Sequence, residues 1–262
     1  MRKKIRGLVP LIVFGILLLT VSLPYRFARR CWSACFHKTD AERRRSETIW
    51  QYETARFFHR VIFPMMGIRM PITIHGEIPL GQPCILVSNH RTAIDHLILA
   101  MVMGTLHLDY VLWVLKYEMQ KAWFLGSSFV RAGYAFVTRR GNPRDKDRIR
   151  EMARMARQDG VSVALYAEGT RFNGTPSEGV RFKHLLEPKI GGFQIFLEEL
   201  PGYPVVFVCM DWRGLTGTTI LDGEGFLDIH GNVHVWQRDL VPGDDARSVL
   251  DEGWARMEEL LS

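Results

Sequence analysis

A chain of 262 residues, 47% hydrophobic and 24% charged, is long enough for one sizeable domain with an appendage and too short for two full domains. Its formal net charge of +6 points to an anionic partner, whether nucleic acid, anionic lipid or a phosphorylated substrate. The four cysteines, Cys31, Cys35, Cys84 and Cys209, do not make a disulfide framework and favour a reducing compartment.

In chain order, the first feature is the apolar stretch from Leu8 to Leu23, preceded by Arg2, Lys3, Lys4 and Arg6 and followed by Arg26, Arg29, Arg30 and Arg43 to Arg45. Basic residues flanking apolar segments favour a membrane surface over a nucleic-acid groove, and no nucleic-acid-binding motif is present. As a helix the stretch spans about 24 Å against a hydrocarbon core of about 30 Å. No small-x-small cleavage site follows, which argues against a cleaved signal peptide and leaves a spanning helix or a re-entrant anchor. Cys31, Cys35 and His37 are read as packing residues and not as a metal site, because no second ligand pair follows.

From Ser46 to Ile68, Ile49, Trp50, Phe57, Phe58, Val61 and Ile62 recur at helical spacing. They fit either a helix packed on the body or an interfacial membrane helix. Residues 1–70 are therefore expected to be a membrane anchor with an amphipathic helix, and residues 71–262 the catalytic domain, with Pro71 at the boundary.

Beyond Pro71, short apolar runs alternate with helical patterns. Strands are predicted at Cys84 to Ser88, Tyr110 to Leu115, Tyr134 to Thr138, Val161 to Tyr166 and Val205 to Met210. Helices are predicted at Ala93 to Met103, Arg144 to Gln158, Gly192 to Leu200 and Ala246 to Leu261, with loops and short strands over Gly214 to Gly231. This alternation predicts an α/β fold with a largely parallel central sheet flanked by helices.

Chemistry in such a sheet collects where strands end. Three polar clusters follow three apolar strands: Asn89 to Asp95, Thr138 to Arg140, and Glu168 to Arg171. His90 and Asp95 would point about 140° apart on one continuous helix. They meet if His90 lies in the strand-to-helix turn and Asp95 one turn into the helix, where Ile94, Leu97, Ile98 and Met101 begin an apolar stripe. An aspartate on one ring nitrogen fixes the tautomer and leaves the other nitrogen to take a proton. With no serine or cysteine in a nucleophile elbow, His90 is the candidate general base on a substrate hydroxyl.

Four blocks of this chain resemble the 1-acylglycerol-3-phosphate acyltransferases, a lysophospholipid acyltransferase family. They are Asn89-His90 with Asp95; Gly133 to Arg139, approached through Lys116 and Glu118; Glu168-Gly169-Thr170-Arg171-Phe172; and Tyr203-Pro204-Val205-Val206. Ala167 stands where the family commonly has proline. Residues 182–192 and His234-Val235-Trp236 look more like the lysocardiolipin-acyltransferase-like branch.

The resemblance implies a membrane-bound O-acyltransferase that moves a fatty acyl group from acyl-CoA or acyl-carrier protein to a lysophospholipid. No cofactor or metal is implied. It also implies His90 and Asp95 as the catalytic pair, with Lys116, Arg139, Glu168, Gly169, Thr170 and Arg171 binding the acceptor phosphate. Partners would be membrane lipids, and the location a bacterial inner membrane with the catalytic domain cytoplasmic. 1-Acyl-sn-glycerol 3-phosphate and a remodelling substrate both remain open as acceptors. The rivals are a lipid thioesterase or hydrolase, and a non-catalytic lipid-binding protein.

Overall fold

The structure, a computed structural model, describes residues 2–36, 39–123, 125–138, 142–174, 180–215 and 223–262. The chain begins with helices α1 (Arg2–Leu17) and α2 (Leu23–Phe36), joined without a break by a π turn at Leu18–Ser22. Next come α3 (Asp40–Phe57) and the short α4 (Phe63–Met66), joined by a second π turn at Phe58–Ile62. The two π turns have one cause. Each ends two residues before a proline, Pro24 or Pro64. A proline lacks the N–H and crowds the carbonyl four residues back, and a wider turn relieves that crowding without ending the helix. Leu23 and Phe63 accordingly donate to the carbonyls five residues back, Leu18 and Phe58. At its start α3 is fixed by a capping box, in which the Thr39 side chain accepts from Glu42 N–H and the Glu42 carboxylate accepts from Thr39 N–H.

Seven strands follow: β1 (Ile72–His75), β2 (Ile85–Ser88), β3 (Val111–Lys116), β4 (Ala135–Val137), β5 (Ser162–Tyr166), β6 (Val205–Arg213) and β7 (His230–Arg238). They form one sheet in the order β1-β7-β6-β2-β5-β3-β4. Strands β6, β2, β5, β3 and β4 run in parallel; β7 is antiparallel to β6, and β1 is parallel to β7. Helices α5 (Asp95–Thr105), α6 (Gly126–Arg131), α7 (Pro143–Asp159), α8 (Ile190–Glu199) and α9 (Ala246–Leu261) flank the sheet. The expected α/β class and all five predicted strands are present. The buried centre explains why they were readable: every residue of β2 is buried, as are the first four of β5 and the first eight of β6.

Two strands were not expected. In β1 only four residues pair and none is buried, and β7 alternates between burial and exposure around Gly231 and Asn232. Gly231 is required by the close approach of β6: a Cβ there would lie 2.0 Å from the Asp211 carbonyl oxygen and 2.8 Å from Met70 Sδ. Gly231→Ala is expected to cost about 3 kcal/mol by forced overpacking and to lower Tm by several degrees in thermal unfolding of the purified protein. An unchanged Tm would mean that β7 slides away from β6 freely.

Of the two readings of residues 46–68, the structure has the packed one. Trp50, Ile62 and Phe63 are at most 1% exposed, and Phe58, Ile62, Phe63 and Met66 belong to the same core as the sheet. The core is thus continuous across Pro71. The first helix behaves differently. Residues Leu8–Phe36 form a helix of 29 residues, long and apolar enough to cross a membrane by length and composition. One side of it lies along the body, through α1 against α4 and the 3-10 turn Gly223–Phe226, and through α2 against α3. Along its other side Ile12, Ile16, Leu19, Tyr25, Trp32 and Phe36 are exposed.

Candidate active site

Because β2, β5, β3 and β4 are parallel, their carboxyl ends share one edge of the sheet. His90 follows β2 there, Glu168 to Arg171 follow β5, and Lys116 ends β3 opposite Val137 of β4. Asn89 fastens the first of these turns to the neighbouring strand: its side-chain amide donates to Met210 O at 3.0 Å and its carbonyl accepts from Met210 N at 2.8 Å.

His90 Nδ1 lies 2.9 Å from Asp95 Oδ2. Asp95 is the first residue of α5, which starts two residues later than the predicted Ala93, so the carboxylate also meets the positive end of the helix. It is fully buried and completely satisfied. Oδ2 accepts from His90 Nδ1 and from the backbone N–H of Arg91 (2.6 Å) and Thr92 (2.9 Å). Oδ1 accepts from Thr92 Oγ1 (2.6 Å) and from Trp212 Nε1 (3.0 Å). Five donors hold the carboxylate in place, and its contact with His90 uses the proton on Nδ1. Nε2 is left as the acceptor. The His90 ring, about one-fifth exposed, stacks on Tyr166 at 4.1 Å between centroids. Tyr166 Oη is buried with no hydrogen-bond partner among the described residues, and burial holds the phenol well above its ordinary pKa, so it stays protonated.

The loop after β5 clamps the His90 backbone on both sides. Glu168 Oε1 accepts from His90 N–H at 2.8 Å, and Phe172 N–H donates to His90 O at 2.8 Å. The second Glu168 oxygen accepts from Leu186 N–H at 3.0 Å. Glu168 is only 1% exposed, so its carboxyl faces inward and ties three segments together. Gly169 takes φ +70°, which a glycine adopts at no cost, and this turns Thr170 and Arg171 outward beside His90. Lys116 is exposed at the same edge, 3.7 Å from Glu118. Arg139 lies outside the described residues, as does His37; Thr138 beside it is tied by its N–H and hydroxyl to Asp145 at 2.8 Å each. Cys31 and Cys35 are free and exposed, and the described residues hold no group of three metal-ligating side chains.

Burial pushes the Glu168 pKa up to about 8, against the lowering effect of its two backbone donors. The folded protein therefore binds a proton that the unfolded chain releases above its ordinary carboxylate range. The contribution of Glu168 to stability is expected to be full below about pH 4.5 and to be lost as pH rises towards about 8, by roughly 5 kcal/mol at most. Unfolding titrations across that range should show the decline, and Glu168→Gln, which does not titrate, should flatten it while leaving one of the two backbone N–H groups without its acceptor. An equal slope in the variant would remove Glu168 as its source.

Beside Tyr166 a cavity of about 550 Å³ opens between α7 and α8. Val114, Val137 and Leu165 give it apolar wall, and both signs of charge line it too, Lys146, Arg150 and Lys189 with Asp145 and Asp147. Nothing in the sequence signals this cavity, the Trp212 and Thr92 donors, or the Tyr166 stack. Their partners lie on elements distant in the chain or are named only by local geometry.

A family model described as Acyltransferase matches residues 71–211. A lyso-ornithine lipid O-acyltransferase of Rhizobium meliloti (strain 1021) is 26% identical over 199 residues, covering 76% of this chain and 62% of that protein. A second protein of that name, from Brucella abortus (strain 2308), is 29% identical over 125 residues, covering 48% and 43%. The chain thus spans less than two-thirds of the length of these curated relatives. The crystal structure of the 1-acyl-sn-glycerophosphate (LPA) acyltransferase PlsC from Thermotoga maritima superimposes with a TM-score of 0.60 at 19% identity, over 100% of this chain and 99% of that one. The likeness at that identity is one of fold.

Proposed function

This chain belongs to the acyltransferase family, and from that premise we propose that it transfers a fatty acyl group from a thioester donor, acyl-CoA or acyl-carrier protein, to the free hydroxyl of a lysophospholipid at a membrane surface. The observation that carries the reading is the fixed His90–Asp95 pair, which leaves Nε2 as the acceptor on a ring stacked against Tyr166, itself part of the wall of the cavity between α7 and α8. The acceptor hydroxyl gives its proton to Nε2 as its oxygen attacks the thioester carbonyl. The tetrahedral intermediate collapses to the ester, and the imidazolium returns the proton to the departing thiolate. Asp95 stabilises the imidazolium between these steps.

Acceptor binding falls to the loop that clamps His90, with Thr170 and Arg171 turned outward, to Lys116 at the end of β3 and, by its place in the sequence alone, to Arg139. A guanidinium fork matches a phosphate well. Glu168 serves by holding the loop and not by touching the phosphate. The preferred acceptor is 1-acyl-sn-glycerol 3-phosphate. Relatives named for lyso-ornithine lipid support a second acceptor. Contact of α1 and α2 with the body along one side supports a helix lying in the membrane interface, apolar side down, over one that leaves the body to span the bilayer. The division into a membrane-associating module over residues 1–70 and an acyltransferase domain over 71–262 is kept in this functional sense.

The test is a panel of lysophosphatidate, lyso-ornithine lipid and lysocardiolipin, each with labelled acyl-CoA or acyl-carrier protein. Diacyl product with one acceptor names the substrate. Free fatty acid without diacyl product would mean a hydrolase.

A further inference from the structure

A second cavity, of about 530 Å³, lies where α2 and α3 meet the end of α6. It is far from His90. Arg44 on its wall bonds Tyr110, just before β3, and Asp159, just before β5, so the cavity sits at the amino ends of the strands whose carboxyl ends carry the active site. A strand of five or six residues separates the two edges by roughly 17–20 Å.

Six guanidiniums line it: Arg26, Arg29, Arg30, Arg43, Arg44 and Arg131. Carboxylates among the described residues pair with five of them. Glu47 is shared by Arg26, Arg30 and Arg131, Asp40 faces Arg43, and Asp159 faces Arg44. Arg29 has no carboxylate partner among the described residues. It reaches Ser46 Oγ and the Tyr25 hydroxyl, both at 3.3 Å, and its Nε is buried without any hydrogen-bond partner. A buried guanidinium N–H left unpaired among excess positive charge is costly unless an anion completes it.

What lies beside Arg29 indicates the source of that anion. Tyr25, Arg29, Trp32 and Phe36 stand at positions i, i+4, i+7 and i+11 of α2, on one stripe. Tyr25, Trp32 and Phe36 are 44%, 62% and 60% exposed, and the Trp32 and Phe36 rings touch at 4.2 Å between centroids. Exposed aromatic residues beside a basic cavity are the composition of a membrane interface at headgroup depth.

We infer that this arginine-lined cavity binds the phosphate group of an anionic membrane lipid, with Arg29 as its unpaired fork, and that it docks the protein at a site separate from catalysis. The test uses the full-length protein and phosphatidylcholine vesicles with or without phosphatidate. Binding to the phosphatidate vesicles should weaken about tenfold in both Arg29→Gln and Arg29→Lys, since lysine keeps the charge but loses the planar fork. Arg154→Gln, which removes an exposed arginine paired with Glu199 on α7, should bind as the unsubstituted protein does. If Arg29→Lys binds as tightly as the unsubstituted protein, or Arg154→Gln loses as much as Arg29→Gln, the attraction is general charge and the site is refuted. Because Arg29→Lys is the milder change, it carries the test where Arg29→Gln fails to fold. Free inorganic phosphate forms the second arm and should compete with vesicle binding in the unsubstituted protein. Should phosphate raise Tm yet leave vesicle binding untouched, the cavity holds a free anion and the lipid assignment falls.

Discussion

Replacing His90 by alanine is expected to lower kcat for acyl transfer by about 10³-fold or more while leaving the acceptor KM little changed. The fold should survive this change. What fixes this turn is the backbone, through His90 N–H on Glu168 and His90 O from Phe172, together with the Asn89 amide on Met210. None of these needs the imidazole. The ring contributes its stacking on Tyr166 and its bond to Asp95. Steady-state kinetics at a temperature well below Tm would separate the two effects. A His90→Ala enzyme that keeps a tenth of its kcat would place the base elsewhere.

Asp95→Asn is expected to be nearly as damaging, at about 10³-fold in kcat, for a reason readable in its five donors. An amide cannot accept on both sides. With its NH₂ on the Oδ1 side, the Thr92 hydroxyl can turn to accept, but the Trp212 indole N–H is orphaned. With its NH₂ on the Oδ2 side, Arg91 and Thr92 N–H are both orphaned and His90 must change tautomer. The first arrangement is less costly: it preserves the tautomer but removes the negative charge that stabilises the imidazolium. Loss of one buried hydrogen bond should also cost about 1–3 kcal/mol in unfolding free energy. A variant with unchanged kcat would mean that Asp95 serves the fold alone.

The legibility of the chain follows burial. Strands covered on both faces are continuous apolar runs, so β2, β3, β5 and β6 stand out in the sequence within a residue or two at their starts. β1 and β7 close the exposed side of the sheet, where polar residues and Gly231 break the pattern. The N-terminal helix runs on past Pro24 to Phe36 because a π turn absorbs the proline, and proline normally reads as a stop. In the site, His90 and Asp95 are near in sequence, and the turn that joins them could be inferred from the apolar stripe behind it. Trp212 is 117 positions from Asp95, and no local pattern reveals such a partner. Glu168 was legible as a residue with work to do, but its inward orientation depends on Leu186, which comes from a separate loop.

The most direct measurement of the central claim is a single turnover with donor labelled in the acyl group, followed by separation of the label into diacyl lipid, free fatty acid and protein. Base catalysis by His90 on the acceptor hydroxyl predicts that label moves to lipid only when acceptor is present, and that none is retained on the protein at any time. Label found covalently on the chain, or released as fatty acid at the same rate without acceptor, would contradict it.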